Sequence, residues 1–176
     1  GWPDLYDYDL AGPEDSQGVG RFCLMCNAAS DTNPVQPCAY LKYIAGWANT
    51  TVLTTPQAGL LAPSSGNVLY KLEHPSLANE YYLIDNRQKT GRDSAVPDAG
   101  LAVWHVDTSG SNDNQEMTAE LHYLVTLVQA DGQWDLENNR NSGDSTDLWG
   151  APEYSECTPF TNPNTHWCCL LYTSPS

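Results

Sequence analysis

Positive charge is what this chain has least of. Its 176 residues carry seven Lys and Arg against 22 Asp and Glu, a formal net charge of −15 with histidine neutral. Charged residues make up only 16% of the total, so the acidity reflects missing bases more than abundant acids. A surface so poor in Lys and Arg excludes the phosphate-binding face that nucleic-acid binders need. Anionic membranes are disfavoured for the same reason. Long hydrophobic runs are also missing, and nothing approaches the ~20 apolar residues of a membrane-spanning helix. There is no Gly-x-Ser-x-Gly elbow, no phosphate loop and no dinucleotide fingerprint. The four histidines, His74, His105, His122 and His166, are too scattered to build a Ser-His-Asp set from spacing. What is present suffices for a packed domain: 40% hydrophobic residues, six Trp and ten Tyr, in a length suited to one domain or slightly more.

The ends carry their own signals. The sequence opens Gly1-Trp2-Pro3-Asp4 with no initiator Met and none of the regions of a secretory signal. It is expected to be a piece of a longer protein. The last stretch, Cys169-Leu170-Leu171-Tyr172-Thr173-Ser174-Pro175-Ser176, is similar to the translation of a sequencing-adapter end. Residues 168–176 are therefore expected to lie outside the biological chain.

Between the ends the patterning changes once. Residues 1–20 read as loop, broken by Pro3, Gly12, Pro13, Gly18 and Gly20. Cys38, Leu41, Ile44 and Ala45 then recur at helical spacing, which predicts one helix over 35–46, closed by Gly46. After Trp47 the texture becomes β: strands are expected at 51–53, 68–72, 81–84, 101–106 and 122–128, separated by turn-forming residues. The predicted fold is α+β, mainly β, with one helix near the N-terminus followed by an antiparallel β module.

Several residues could carry chemistry. His105, inside Trp104-His105-Val106-Asp107, reads as a structural histidine satisfied within its strand. Residues 131–147 hold Asp131, Asp135, Glu137, Asn138, Asn139, Asn141, Asp144 and Asp147 with one base, Arg140. Hard Ca²⁺ takes six to eight oxygens from such Asp/Asn-rich loops, so Asp131, Asp135, Asn141, Asp144 and Asp147 are candidate ligands. The alternative is a solvated acidic loop. The spacing does not fit an EF-hand. Cys23-x-x-Cys26 with Cys38 lacks a suitably spaced fourth zinc ligand. In a secreted protein, a disulfide from Cys38 to either Cys23 or Cys26 is allowed; Cys157 has no obvious partner. Asn49-Thr50-Thr51 is a glycosylation sequon if the source is eukaryotic.

An ordered series of short motifs covers nearly all of the chain before Trp167. It runs through Gly1-Trp2-Pro3-Asp4-Leu5-Tyr6-Asp7, Gly18-Val19-Gly20-Arg21-Phe22-Cys23-Leu24-Met25, Leu41-Lys42-Tyr43 and Gly46-Trp47. It continues with Glu80-Tyr81-Tyr82-Leu83-Ile84-Asp85-Asn86-Arg87-Gln88, Gly100-Leu101-Ala102-Val103-Trp104-His105-Val106-Asp107, Gln129-Ala130-Asp131-Gly132 and Gly143-Asp144-Ser145-Thr146-Asp147-Leu148-Trp149. The series resembles the immune inhibitor A-like zinc metallopeptidases, the sixth metallopeptidase family, which are metzincin-like.

That resemblance implies a site. The family's helix carries H-E-x-x-H-x-x-G-x-x-D/H, whose two His bind Zn²⁺ while the Glu activates the bound water. Gly1 aligns with the glycine of that motif, which puts Asp4 at the third zinc ligand, with Asp7 as rival. The two His and the catalytic Glu would lie upstream of Gly1, so this polypeptide is expected to be inactive alone. Met25 aligns with the Met-turn, an apolar floor beneath the zinc; otherwise it is an ordinary core methionine. Residues 1–47 would then be the end of a catalytic domain and 48–167 a β-rich module. The parent is implied to be a secreted, extracellular endopeptidase acting on proteins or peptides, with zinc at its centre and calcium as a second ion. Two rivals remain: a calcium-stabilised β-rich binding or adhesion module whose aromatics stack on ligand, and a relative that kept the fold and lost the metal.

Overall fold

A proline decides where the helix begins. Pro37 steers Gln36 out of the α region, and Cys38 is still extended (φ −66°, ψ 170°) as the N-cap. In the computed structural model, which describes residues 1–7, 16–113, 122–150, 152–158 and 160–163, α1 is accordingly Ala39–Ile44. That is shorter than the predicted 35–46. The helix ends in a Schellman cap: Gly46 N donates to Tyr43 O at 3.1 Å and Trp47 N to Lys42 O at 3.0 Å. Gly46 takes the left-handed conformation, φ +70°, that this cap needs and that glycine adopts without steric cost.

Five strands follow: β1 (Asn49–Leu53), β2 (Val68–Glu73), β3 (Glu80–Arg87), β4 (Gly100–Asp107) and β5 (Val125–Leu127). They form one sheet in that order. From β2 to β5 the neighbours are antiparallel. β1 departs from the predicted antiparallel pattern and runs parallel to β2, with Asn49 opposite Val68 and Leu53 opposite Leu72. The sheet is therefore mixed. Alternation fixes which face a side chain takes, whereas direction depends on the connection. Residues 54–67 are long enough for the crossover that a parallel pair requires. The architecture is α+β, mainly β.

β5 is shorter than the predicted 122–128, and its outer edge is met by a side chain. The Asn112 amide, 2% exposed, donates to Val125 O and accepts from Val125 N, both at 2.9 Å. It pairs with Val125 as a neighbouring peptide would.

The main core lies on the face of the sheet covered by α1 and the N-terminal loops. Leu5, Phe22, Cys23, Cys38 and Leu41 pack there with Leu69, Leu83, Trp104 and Leu127. Residues on both sides of position 47 thus share one core. Tyr82, Val128, Ala130 and Trp149 form a smaller cluster on the other face. Charges inside the main layer are paired. Arg87, 1% exposed, grips Asp93 with Nε to Oδ2 at 2.8 Å and Nη2 to Oδ1 at 2.9 Å, and its Nη1 donates to Phe22 O at 3.0 Å. Asp93 also accepts from Gln36 N at 2.9 Å. This bidentate pair fastens the loops around Phe22 and Gln36 to β3. Among the described residues no helix is long and apolar enough to cross a membrane. Residues 168–176 lie outside the described residues.

Candidate functional site

Two regions hold the residues that the sequence singles out. The first is built around Leu5, which is fully buried and fixes the chain on either side of it. Its N–H donates to Met25 O at 2.8 Å, and its carbonyl accepts from Val19 N at 3.1 Å and from Asn112 Nδ2 at 3.3 Å. Asp4, half-buried, is thereby held beside the loop that carries Met25, and Asp7 is buried a turn beyond. Gly18 makes this approach feasible. Its φ is +55°, and a Cβ there would lie 2.0 Å from Leu5 O, so no other residue fits without moving the Leu5 segment.

Met25 occupies a tight turn, in which Cys26 N donates to Cys23 O at 3.2 Å and Ala28 N to the same carbonyl at 3.1 Å. Its side chain is half-buried against the main core. The fold therefore brings together the segments of Asp4 and Met25, well separated in sequence. Trp2, just before Asp4, meets Trp47 edge-on at 5.0 Å between ring centroids. Trp47 helps to line a cavity of about 510 Å³ with Lys42, Asn67 and Arg92. Neither Asp4 nor any acid of the second region is among the residues lining it.

The second region is the acidic loop. Asp131, Asp144 and Asp147 each place a carboxylate oxygen within 4.8 Å of the others, the one such convergence of His, Cys, Asp or Glu among the described residues. Thr146 Oγ1 joins two of them, at 2.7 Å from Asp131 Oδ2 and 2.6 Å from Asp144 Oδ1. Asp147 Oδ2 accepts from Asp144 N at 2.7 Å. Burial raises the Asp147 carboxyl to about 7, and the charges of Asp144, Asp131 and Asp98 add to the rise against the Asp144 amide. For Asp144, burial is outweighed by the Thr146 hydroxyl and amide and by Asn141, which hold it below the ordinary carboxylate value. Three acids meeting with no base among them are costly together, because like charges repel strongly at short range. A hard divalent cation matches that donor set.

Asp135 and Asn141 form an adjoining layer rather than part of the convergent group. Asn141 Nδ2 donates to Asp135 Oδ2 at 3.0 Å and to Asp144 Oδ2 at 2.9 Å. Its Oδ1 accepts from Gly143 N at 2.7 Å. Asp135 is also held by Arg140, Nη1 to Oδ1 at 3.2 Å. Beneath them Glu137 is pushed up to about 8 by burial, reinforced by Asp147 and Asp135, and accepts a short hydrogen bond from the Gln129 amide. Thr146 is the participant that sequence reasoning passes over, and Glu137 is named there among the loop's acids but not as a candidate ligand. For Thr146 a signal exists, since a hydroxyl between two acids in Asp144-Ser145-Thr146-Asp147 can bond either one.

The remaining candidates have local explanations. His105 Nε2 meets Glu80 Oε1 at 2.8 Å, both residues buried, which is a structural pairing. Cys23, Cys26 and Cys38 do not converge as a metal cluster. Asn49 is exposed at the start of β1. No protein-family model matches the chain, and no curated protein or solved structure does either.

Proposed function

We propose that these residues belong to a secreted zinc metalloendopeptidase of the immune inhibitor A-like family, as the end of its catalytic domain joined to a calcium-stabilised β module. One observation carries the reading. The resemblance puts the third zinc ligand at Asp4 and the methionine floor at Met25, and the amide next to Asp4 is hydrogen-bonded to the Met25 carbonyl at 2.8 Å.

Zinc does not fit this chain by itself. A catalytic zinc takes three protein ligands, Asp4 supplies one, and the 176 residues contain no His-Glu-x-x-His. On this reading the two histidines and the general-base glutamate come from sequence ahead of Gly1. With those groups supplied, a zinc held by Asp4 and the two histidines would lower the pKa of a bound water and polarise a carbonyl. This chain's own part is to present the Asp4 carboxylate from a backbone locked at Leu5, and to close the underside of the site with the apolar Met25. The substrates are proteins or peptides. Calcium at Asp131, Asp144 and Asp147 suits an extracellular protein, where ~millimolar calcium fills sites of modest affinity.

The test uses the protein extended upstream through the zinc helix. Asp4→Ala strips the zinc and abolishes peptide hydrolysis, whereas Asp7→Ala leaves the metal bound. The opposite pattern moves the ligand to Asp7, and zinc retained by both variants overturns the assignment. A second reading, a calcium-stabilised β-rich binding or adhesion module, draws on the convergence of Asp131, Asp144 and Asp147. An extended protein that binds calcium and no zinc would favour it.

A further inference from the structure

Cys23 and Cys38 are both fully buried and are brought together from opposite ends of the loop that contains Met25. Leu24 N donates to Gln36 O at 3.3 Å, which aligns the two segments. The Cys38 amide then donates to Cys23 Sγ at 3.3 Å. Cys26 is turned elsewhere, its Sγ donating to Gln17 O at 3.2 Å. We propose that Cys23 and Cys38 form a disulfide that ties the turn at Met25 to the N-cap of α1, with Cys26 remaining a thiol.

The chemistry favours that pair. For Cys23, burial is outweighed by the Cys38 thiol and amide, the Met25 amide and the Arg87 charge, so its pKa lies below the ordinary thiol value. Burial, with the neighbouring Cys23, raises Cys38, and burial raises Cys26 to about 12. Either cysteine, deprotonated before the core closes, can attack first, and Cys23 serves as the example. The oxidant is a low-molecular-weight disulfide such as oxidised glutathione. Cys23 attacks one of its sulfurs, the oxidant's S–S bond breaks, and one thiol leaves carrying the Cys23 proton. Cys38, on losing its proton, attacks Cys23 in the mixed disulfide and expels the second thiol, which takes that proton. Two protein thiols become one disulfide while one small disulfide becomes two thiols. Because both cysteines are buried in the finished fold, exchange takes place before the core closes. The completed bond is then shielded from reductant. It restrains a loop whose Ala28 and Ala29 both have positive φ, and it forms whether or not Asp4 binds zinc.

Peptide mapping tests this on the whole chain, refolded in a mixture of oxidised and reduced glutathione. Thiols are blocked with N-ethylmaleimide in denaturant without reduction. The chain is then cut after Lys and Arg and before Asp31, because Lys/Arg cleavage alone leaves all three cysteines in one peptide. The expected product is peptide 22–30 linked to peptide 31–42, with the blocking group on Cys26. The intact chain refolded with a thiol reductant should melt roughly 5–10 °C below the chain refolded in the glutathione mixture, a drop due to the missing link. Cys26→Ala should keep both the link and the drop, and Cys38→Ala should lose both. A Cys26–Cys38 or Cys23–Cys26 link, or blocking groups on all three cysteines, would overturn the proposal.

Discussion

Gly18 and Arg87 show how single residues hold the ground beneath Asp4. A methyl group at position 18 would meet the Leu5 carbonyl at 2.0 Å, and the backbone there has φ +55°. Gly18→Ala is therefore expected to destabilise the chain by at least about 3 kcal/mol, through steric displacement and left-handed strain. A chemical-denaturation curve measures it, and a loss under about 1 kcal/mol would mean that Leu5 moves freely. Arg87 matters through its partner. Asp93→Asn takes from a buried guanidinium the carboxylate it grips, leaving only the charge of Asp85 nearby, and should cost roughly 3–5 kcal/mol near neutral pH. Burial opposes the Asp93 charge but Arg87 outweighs it, so the folded pKa is lowered. A depressed carboxylate contributes fully above its unfolded value of about 3.9 and loses that contribution as pH falls through the folded value. The gap between wild type and Asp93→Asn, read from urea melts, should narrow below about pH 4. A gap unchanged down to pH 2 or so would contradict the ion-pair account.

At the scale of elements, the acidic loop makes the sharpest prediction. If Asp131, Asp144 and Asp147 hold calcium, binding to the folded state alone adds about 2.7 kcal/mol at a hundredfold excess over Kd. The melting temperature should then rise by roughly 5–10 °C. Asp144→Ala should abolish the rise, and magnesium, which keeps its waters and its octahedron, should reproduce it poorly. No calcium-dependent shift would leave these acids as a solvated loop. The strands show what was legible in advance. All five appear near their predicted places, because β-branched and aromatic residues in alternation state a burial preference directly. Helix length did not show, since the apolar spacing continues through a stretch that Pro37 keeps extended. The parallel entry of β1 was hidden because direction resides in the connection rather than in the strand. The pairing of the Asn112 amide with the edge of β5 left no local signal. In the loop, acid density pointed to the region where Asp131, Asp144 and Asp147 converge. The choice among acids depended on Arg140 and Asn141 drawing Asp135 aside.

At the scale of the whole molecule, one core joins the N-terminal loops to the sheet, so the residues around Asp4 are carried on a β scaffold. On the proposed reading, that scaffold would bring one of the three ligands a catalytic zinc requires. The 176-residue chain on its own should accordingly show no chelator-sensitive proteolysis of casein, and such activity would overturn the assignment of Asp4. The central claim, that Asp4 completes a zinc site begun on a preceding helix, is tested most directly by reading the coding sequence immediately upstream of Gly1. The account predicts His-Glu-x-x-His followed by two residues that run into Gly1, a spacing that puts both histidines on one helical face within reach of the Asp4 carboxylate. Any other sequence in those positions would contradict it.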